Sequence, residues 1–221
     1  MPTTLLDPDG TASMATLLMS SHHAFRRDLA CFARALATLA PDDGARAEAL
    51  REEWVWFRNA LHGHHTIEDT SMFPDLRAKD PALAATLAEL DAQHRAIDPL
   101  LERGDRAFAD LAHERAAAAS VVDATAALLA THLELEEPAI TPHLRAAKDF
   151  PAPPGDEMLA MYADGFAWSS AGIAAPVVQQ IFAMLPAALV ERIPAARARF
   201  EDRCRRVWGG IHAGSSTTSA P

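Results

Sequence analysis

One phrase occurs twice in the chain. His64-x-x-x-Glu68-Asp69-x-x-x-x-Pro74-x-Leu76-Arg77 recurs as His132-x-x-x-Glu136-Glu137-x-x-x-x-Pro142-x-Leu144-Arg145. Residues four apart lie one above the other on a helix, so the histidine and glutamate of each phrase reach a single point. Two such pairs on two helices are what a metal centre inside a helical bundle requires.

The elements that must hold these pairs show in the spacing of apolar residues. Leu18, His22, Phe25, Leu29, Phe32 and Leu36 form one stripe, and Leu50, Trp54, Phe57, Leu61, His64 and Glu68 a second. Leu83, Leu87, Leu90, His94, Ile97 and Leu101 form a third, and Val122, Thr125, Leu129, His132 and Glu136 a fourth. Stripes of this period are the core seams of helices, and four of them predict an all-α, antiparallel up-down four-helix bundle. Every seam contains a histidine.

A single seam histidine is more often a hydrogen-bonded core residue than a ligand. Glu68 and Glu136 are harder to place in an apolar core, because a buried carboxylate costs several kcal/mol unless it is paired or binds a metal. A metal-free His–Glu network is the alternative. The four seam histidines and two glutamates make six donors, enough for two ions. Imidazole and carboxylate without thiolate suit iron or manganese better than structural zinc, although zinc stays open.

The joint pattern resembles the hemerythrin-like family of cation-binding four-helix bundles. Its marks are His22-His23-Ala24-Phe25-Arg26-Arg27-Asp28-Leu29, His64-His65-x-x-Glu68-Asp69, Gln93-His94 and His132-Leu133-x-x-Glu136-Glu137. The resemblance covers residues 12–148 and implies a non-haem di-iron centre. His22, His64, His94 and His132 would be ligands, with Glu68 and Glu136 bridging two Fe ions. The oxygen-carrying members have a second histidine on helix three where this chain has Leu90, and His-x4-Asp on helix four where it has His-x3-Glu. One iron then lacks a ligand unless His65 supplies it. The implied function is binding or sensing dioxygen or a related small molecule, and a sensor or reactive centre is favoured over a carrier. The alternatives are a di-iron enzyme acting on peroxide or nitric-oxide-derived species, and a metal-free structural bundle.

Other residues read more plainly. His23 and His62 fall off the seams, and His113, His143 and His212 have no carboxylate at ligand spacing. Trp54, Trp56 and Phe57 read as core, and Asp69 and Glu137 as facing solvent or a helix neighbour. The chain has 221 residues, a net charge of -10, nine Phe and one Tyr, and is rich in Ala and Leu, which favours helix. The acidic balance argues against a nucleic-acid partner, and the Arg197–Arg206 stretch, interrupted by Glu201 and Asp202, reads as a solvated helix face. No segment reads as a signal peptide or membrane span, and Cys31 reads as a small core filler, so a cytoplasmic protein is expected.

Four helices are expected over about 12–40, 45–72, 80–104 and 105 or 116 to 135, with Pro99 as a kink or early end and Asp80-Pro81 starting the third. Residues 1–11 read as a flexible lead-in and Phe150–Gly155 as a linker. Residues 156–212 read as a helical extension cut by Pro176, Pro186 and Pro194, and 213–221 as a disordered tail.

Overall fold

The computed structural model describes residues 5–209, and among these there are helices and turns but no strand. The tail expected at 213–221 and His212 lie outside the described residues. The chain divides into two compact units, residues 1–27 with 144–221, and residues 28–143. That division differs from a boundary at the 150–155 linker. The reason is a shared core: Ala12 and Leu17 from the N-terminal stretch pack with Phe166, Ile181, Leu189 and Ile193 from the C-terminal third.

Helix α1 (Met14–Thr38) supplies residues to both units. The second unit continues with α2 (Gly44–Ile67), whose N-cap Asp43 accepts a hydrogen bond from the Arg46 amide at 3.0 Å. A widened π turn over Glu68–Met72 follows, then α3 (Phe73–Lys79). Asp80 caps a short 3-10 turn (Pro81–Leu83) through the Ala82 amide at 3.0 Å, and α4 (Ala84–Ala109) and α5 (Leu111–Leu144) complete the unit.

The second helical stretch was expected to run unbroken to about 72. Pro74 explains the widening: its ring crowds the carbonyl four residues back, at Thr70, and it has no N–H to offer. In the π turn the Phe73 amide bonds the Glu68 carbonyl instead. Pro99 neither ends nor divides α4, and α5 runs through Pro138 and Pro142. Thr141 Oγ1 donates to the Glu137 carbonyl at 2.7 Å, which satisfies one acceptor near those prolines. The break in α5 lies near its start, at Glu114. The central part of α5 also has the length and apolar composition of a membrane span, contrary to the expectation from sequence. Its apolar stretch mixes Ala with Val121, Val122, Leu128, Leu129 and Leu133, and the helix also carries His132 and Glu136, both fully buried.

Aromatic packing holds the far end of this unit. Phe32 of α1 meets the edges of Trp54, Phe57 and Phe108 at 5.4–5.8 Å between centroids, and Trp54 stacks on Phe108 at 4.6 Å. Trp54 and Phe57 are thus core. Trp54 Nε1 donates to Asp105 at 3.0 Å, and its ring fills the space that a side chain at Gly104 would need. A Cβ at 104 would lie 2.0 Å from Trp54 Cζ2. Gly104→Ala should therefore destabilise by about 1–3 kcal/mol through overpacking, despite the ~1 kcal/mol that alanine gains in a helix. Urea unfolding checks this, and a stabilised variant would contradict it.

In the first unit the prolines of the C-terminal third begin helices. Pro176 and Pro194 sit in the first turns of α7 (Ala175–Ala183) and α9 (Ile193–Trp208), and Pro186 is the N-cap of α8 (Ala187–Val190). Helix α6 (Gly155–Ser169) ends against Arg27, whose Nη1 donates to the carbonyls of Trp168 and Ala171, both at 2.9 Å. His23 is a helix contact, with Nε2 3.3 Å from the Ala171 carbonyl. The arginines of α9 face varied partners: Arg199 pairs with Asp164 at 2.6 Å, and Arg197 lies over the Phe182 ring.

The lead-in is tied down from residue 5. Buried Asp7 pairs with Arg145 and, at 2.6 Å, with Lys148. Burial alone would raise its pKa, but hydrogen bonds with Lys148, Arg145 and Ser13 together hold it below the usual carboxylate value. A carboxyl whose folded pKa is depressed stabilises above its unfolded pKa, and that gain vanishes as pH falls through the folded value. Asp7→Asn should cost about 1–2 kcal/mol at pH 7, discounted because both cations are partly exposed. The gap to the unsubstituted protein should stay level above about pH 5 and close below 3.8, as paired denaturation curves would show.

Candidate metal centre

The second unit brings His64, His65, Glu68, His94, His132 and Glu136 together. His64 and His65 stand on the last turn of α2, Glu68 opens the π turn, His94 is on α4, and His132 and Glu136 are on α5. His22, the remaining expected ligand, is wholly buried on α1 in the first unit.

Glu68 is the hub. Its Oε1 lies 2.9 Å from His64 Nε2 and its Oε2 3.5 Å from His94 Nε2. On the facing helix Glu136 Oε2 lies 3.4 Å from His132 Nε2, with both side chains fully buried. His65, Glu68, His94 and His132 each offer a donor atom, all within 4.8 Å of one another.

The protonation pattern tests whether a cation fits. His94 Nδ1 is 2.8 Å from Asp69 Oδ1, and His132 Nδ1 is 3.1 Å from Gln93 Oε1. Gln93 keeps its oxygen toward His132 because its Nε2 donates to Glu89 at 3.1 Å. Each neutral imidazole therefore spends its one proton on an outer acceptor, leaving a lone pair on Nε2. The two Nε2 atoms face each other at 3.3 Å. Two lone pairs that close repel, and a cation beside them turns the same arrangement into two ligands. The donor set fits a metal ion.

Electrostatics point the same way. Burial pushes the His64 pKa below its ordinary value, against an opposing pull from Glu136. Burial and the neighbouring His132 lower that of His94, against the hydrogen bond and charge of Asp69. Neutral imidazole is the ligating form.

His65 is buried, and its ring stacks on that of His94 with centroids 3.9 Å apart and planes within 13°. His65 thus packs against His94 while belonging to the same group of donors as Glu68, His94 and His132. Leu90, where carriers have a histidine, is completely buried.

Two residues beside expected ligands, Asp69 and Gln93, also take part, roles that spacing does not single out. Asp69 reads as facing solvent or a helix neighbour, and that neighbour is His94 on α4, which it bonds while one-third exposed. Their signal was position, each being next to an expected ligand. The other histidines stay apart: His62 is 4.0 Å from Asp98 at the surface, His113 pairs with Asp110, and His143 lies 3.9 Å from Asp80.

No curated protein and no solved structure matched the chain in the comparisons. A family model described as the hemerythrin HHE cation binding domain matches residues 13–144, more than half of the chain. With the His and Glu cluster in place, the match has a physical basis, and the chain belongs to the hemerythrin HHE cation-binding family.

Proposed function

We propose that the protein is a non-haem di-iron protein that binds or senses dioxygen or a related small molecule. The ligands are His22, His64, Glu68, His94, His132 and Glu136, with His65 in reserve, carried by an antiparallel up-down bundle. The observation that supports this most is the pair of Nε2 lone pairs facing each other beside Glu68, each with its Nδ1 proton held outside. When bound, a ferrous pair would supply the electrons that dioxygen requires.

The chain's own residues do the rest. Leu90 and Phe73 keep the interior apolar around His94 and limit water. Leu90 in place of a ligand leaves coordination less complete than in a carrier, which favours a sensor or reactive centre. Two cysteines without a disulfide between them accord with a reducing compartment, and we place the protein in the cytoplasm.

Metal analysis and an ultraviolet–visible spectrum of aerobically purified protein test the centre, and oxygen titration after anaerobic reduction tests the function. Two irons per chain and irreversible oxidation are expected. Repeated deoxygenation under vacuum would show a carrier, and rapid turnover of peroxide would show an enzyme.

A further inference from the structure

We propose that Asp69 is a positioning residue that fixes the tautomer of His94 and thereby sets the affinity of one of the two metal ions. The inference rests on the metal-binding reading above and extends it to a residue outside the ligand set.

Glu68 and Asp69 are consecutive, yet both carboxylates reach the same imidazole. Glu68 Oε2 lies 3.5 Å from Nε2 of His94, and Asp69 Oδ1 lies 2.8 Å from Nδ1. Neighbouring side chains on a regular helix point about 100° apart, a poor arrangement for clasping one ring. Here both belong to the π turn, where the extra residue per turn changes their directions.

The clasp has a chemical consequence. A carboxylate accepting the Nδ1 proton keeps Nε2 free to ligate, holds the ring's plane and makes Nε2 more basic. His132 receives the corresponding support from the neutral amide of Gln93. The two imidazoles that face each other are thus held differently, one by a charge and one by a dipole. Loss of the charged support should have the larger effect on affinity. Asp69 is also the solvent-facing member of the clasp, being one-third exposed while the His94 side chain is 4 % exposed. Substitution there alters the orientation of a buried ligand without opening the core.

Two readouts test the role on the full chain. The first is nitrogen-15 NMR of the metal-stripped protein, which reports the tautomer of His94 with no metal present. Unsubstituted protein and Asp69→Asn should show the proton on Nδ1, since an amide oxygen still accepts it, and Asp69→Ala should move it to Nε2. The second is Co(II) titration followed by visible absorption. In Asp69→Ala one equivalent should bind about 10–100-fold more weakly, and in Asp69→Asn the loss should be smaller. A merely structural residue would shift the unfolding midpoint and leave tautomer and affinity unchanged, and that result overturns the proposal. Uptake of two equivalents by both the unsubstituted protein and Asp69→Ala with equal affinity overturns this role alone. No Co(II) uptake by the unsubstituted protein overturns the metal reading and this role together.

Discussion

Glu68→Ala is expected to carry almost no metal, a larger loss than any other single substitution in the centre. Its two oxygens face His64 on one side and His94 on the other, so its removal takes the carboxylate from both imidazoles. Glu136 faces His132 at 3.4 Å and His64 faces Glu68 at 2.9 Å; Glu136→Ala or His64→Ala should lose about half or more of the bound metal. Elemental analysis against protein concentration gives the ranking. Equal and full occupancy in all three variants would remove these residues from the ligand set. Circular dichroism must accompany it, since His132 and His94 stay buried when their carboxylate neighbours are lost.

Stripping the metal should produce the second large effect. Without a cation, the lone pairs of His94 and His132 face each other at 3.3 Å and the carboxylates of Glu68 and Glu136 sit in the core. Any ion that binds the folded form alone stabilises it by mass action, about 4 kcal/mol at a free concentration a thousand times the dissociation constant. At roughly 2–4 °C per kcal/mol for a chain of this size, the unfolding midpoint should fall by roughly 10 °C on chelation and recover on reloading. The same midpoint with and without metal would mean that the His–Glu cluster is a self-sufficient polar network, and that the ion contributes nothing to the fold.

Much of this centre could be read before any coordinates. A period near 3.6 places His22, His64, His94 and His132 on core faces, and a buried glutamate one turn beyond a histidine has few explanations other than pairing or metal. Local capping rules also held, with Asp80 accepting from the Ala82 amide where Asp-Pro begins a turn. What escaped the sequence were properties that only contacts decide. Pro99, Pro138 and Pro142 each threaten a helix locally, but long packed helices absorb one lost bond. Gly104 looked like a terminus and is instead a seat for the Trp54 ring. Asp69 reads as facing solvent or a helix neighbour, and only the contacts show that the neighbour is His94 of α4. The sequence also offered His65 as a seventh ligand, and the fold places it among Glu68, His94 and His132 with its ring stacked on that of His94, a detail that spacing cannot give.

The π turn at Glu68–Met72 makes the chain's length in this region part of its information. One residue more than a regular helix needs is stored there, so Phe73, five residues after Glu68, stands where the fourth would on a regular helix. Removing one residue from 69–72 would let the helix close into its ordinary winding with Phe73 and Leu76 still in the core they now fill. One deletion in the regular winding of α2 or α3 would instead turn the side chains beyond it by about 100°. The segment thus holds slack in its length that the helices beside it lack.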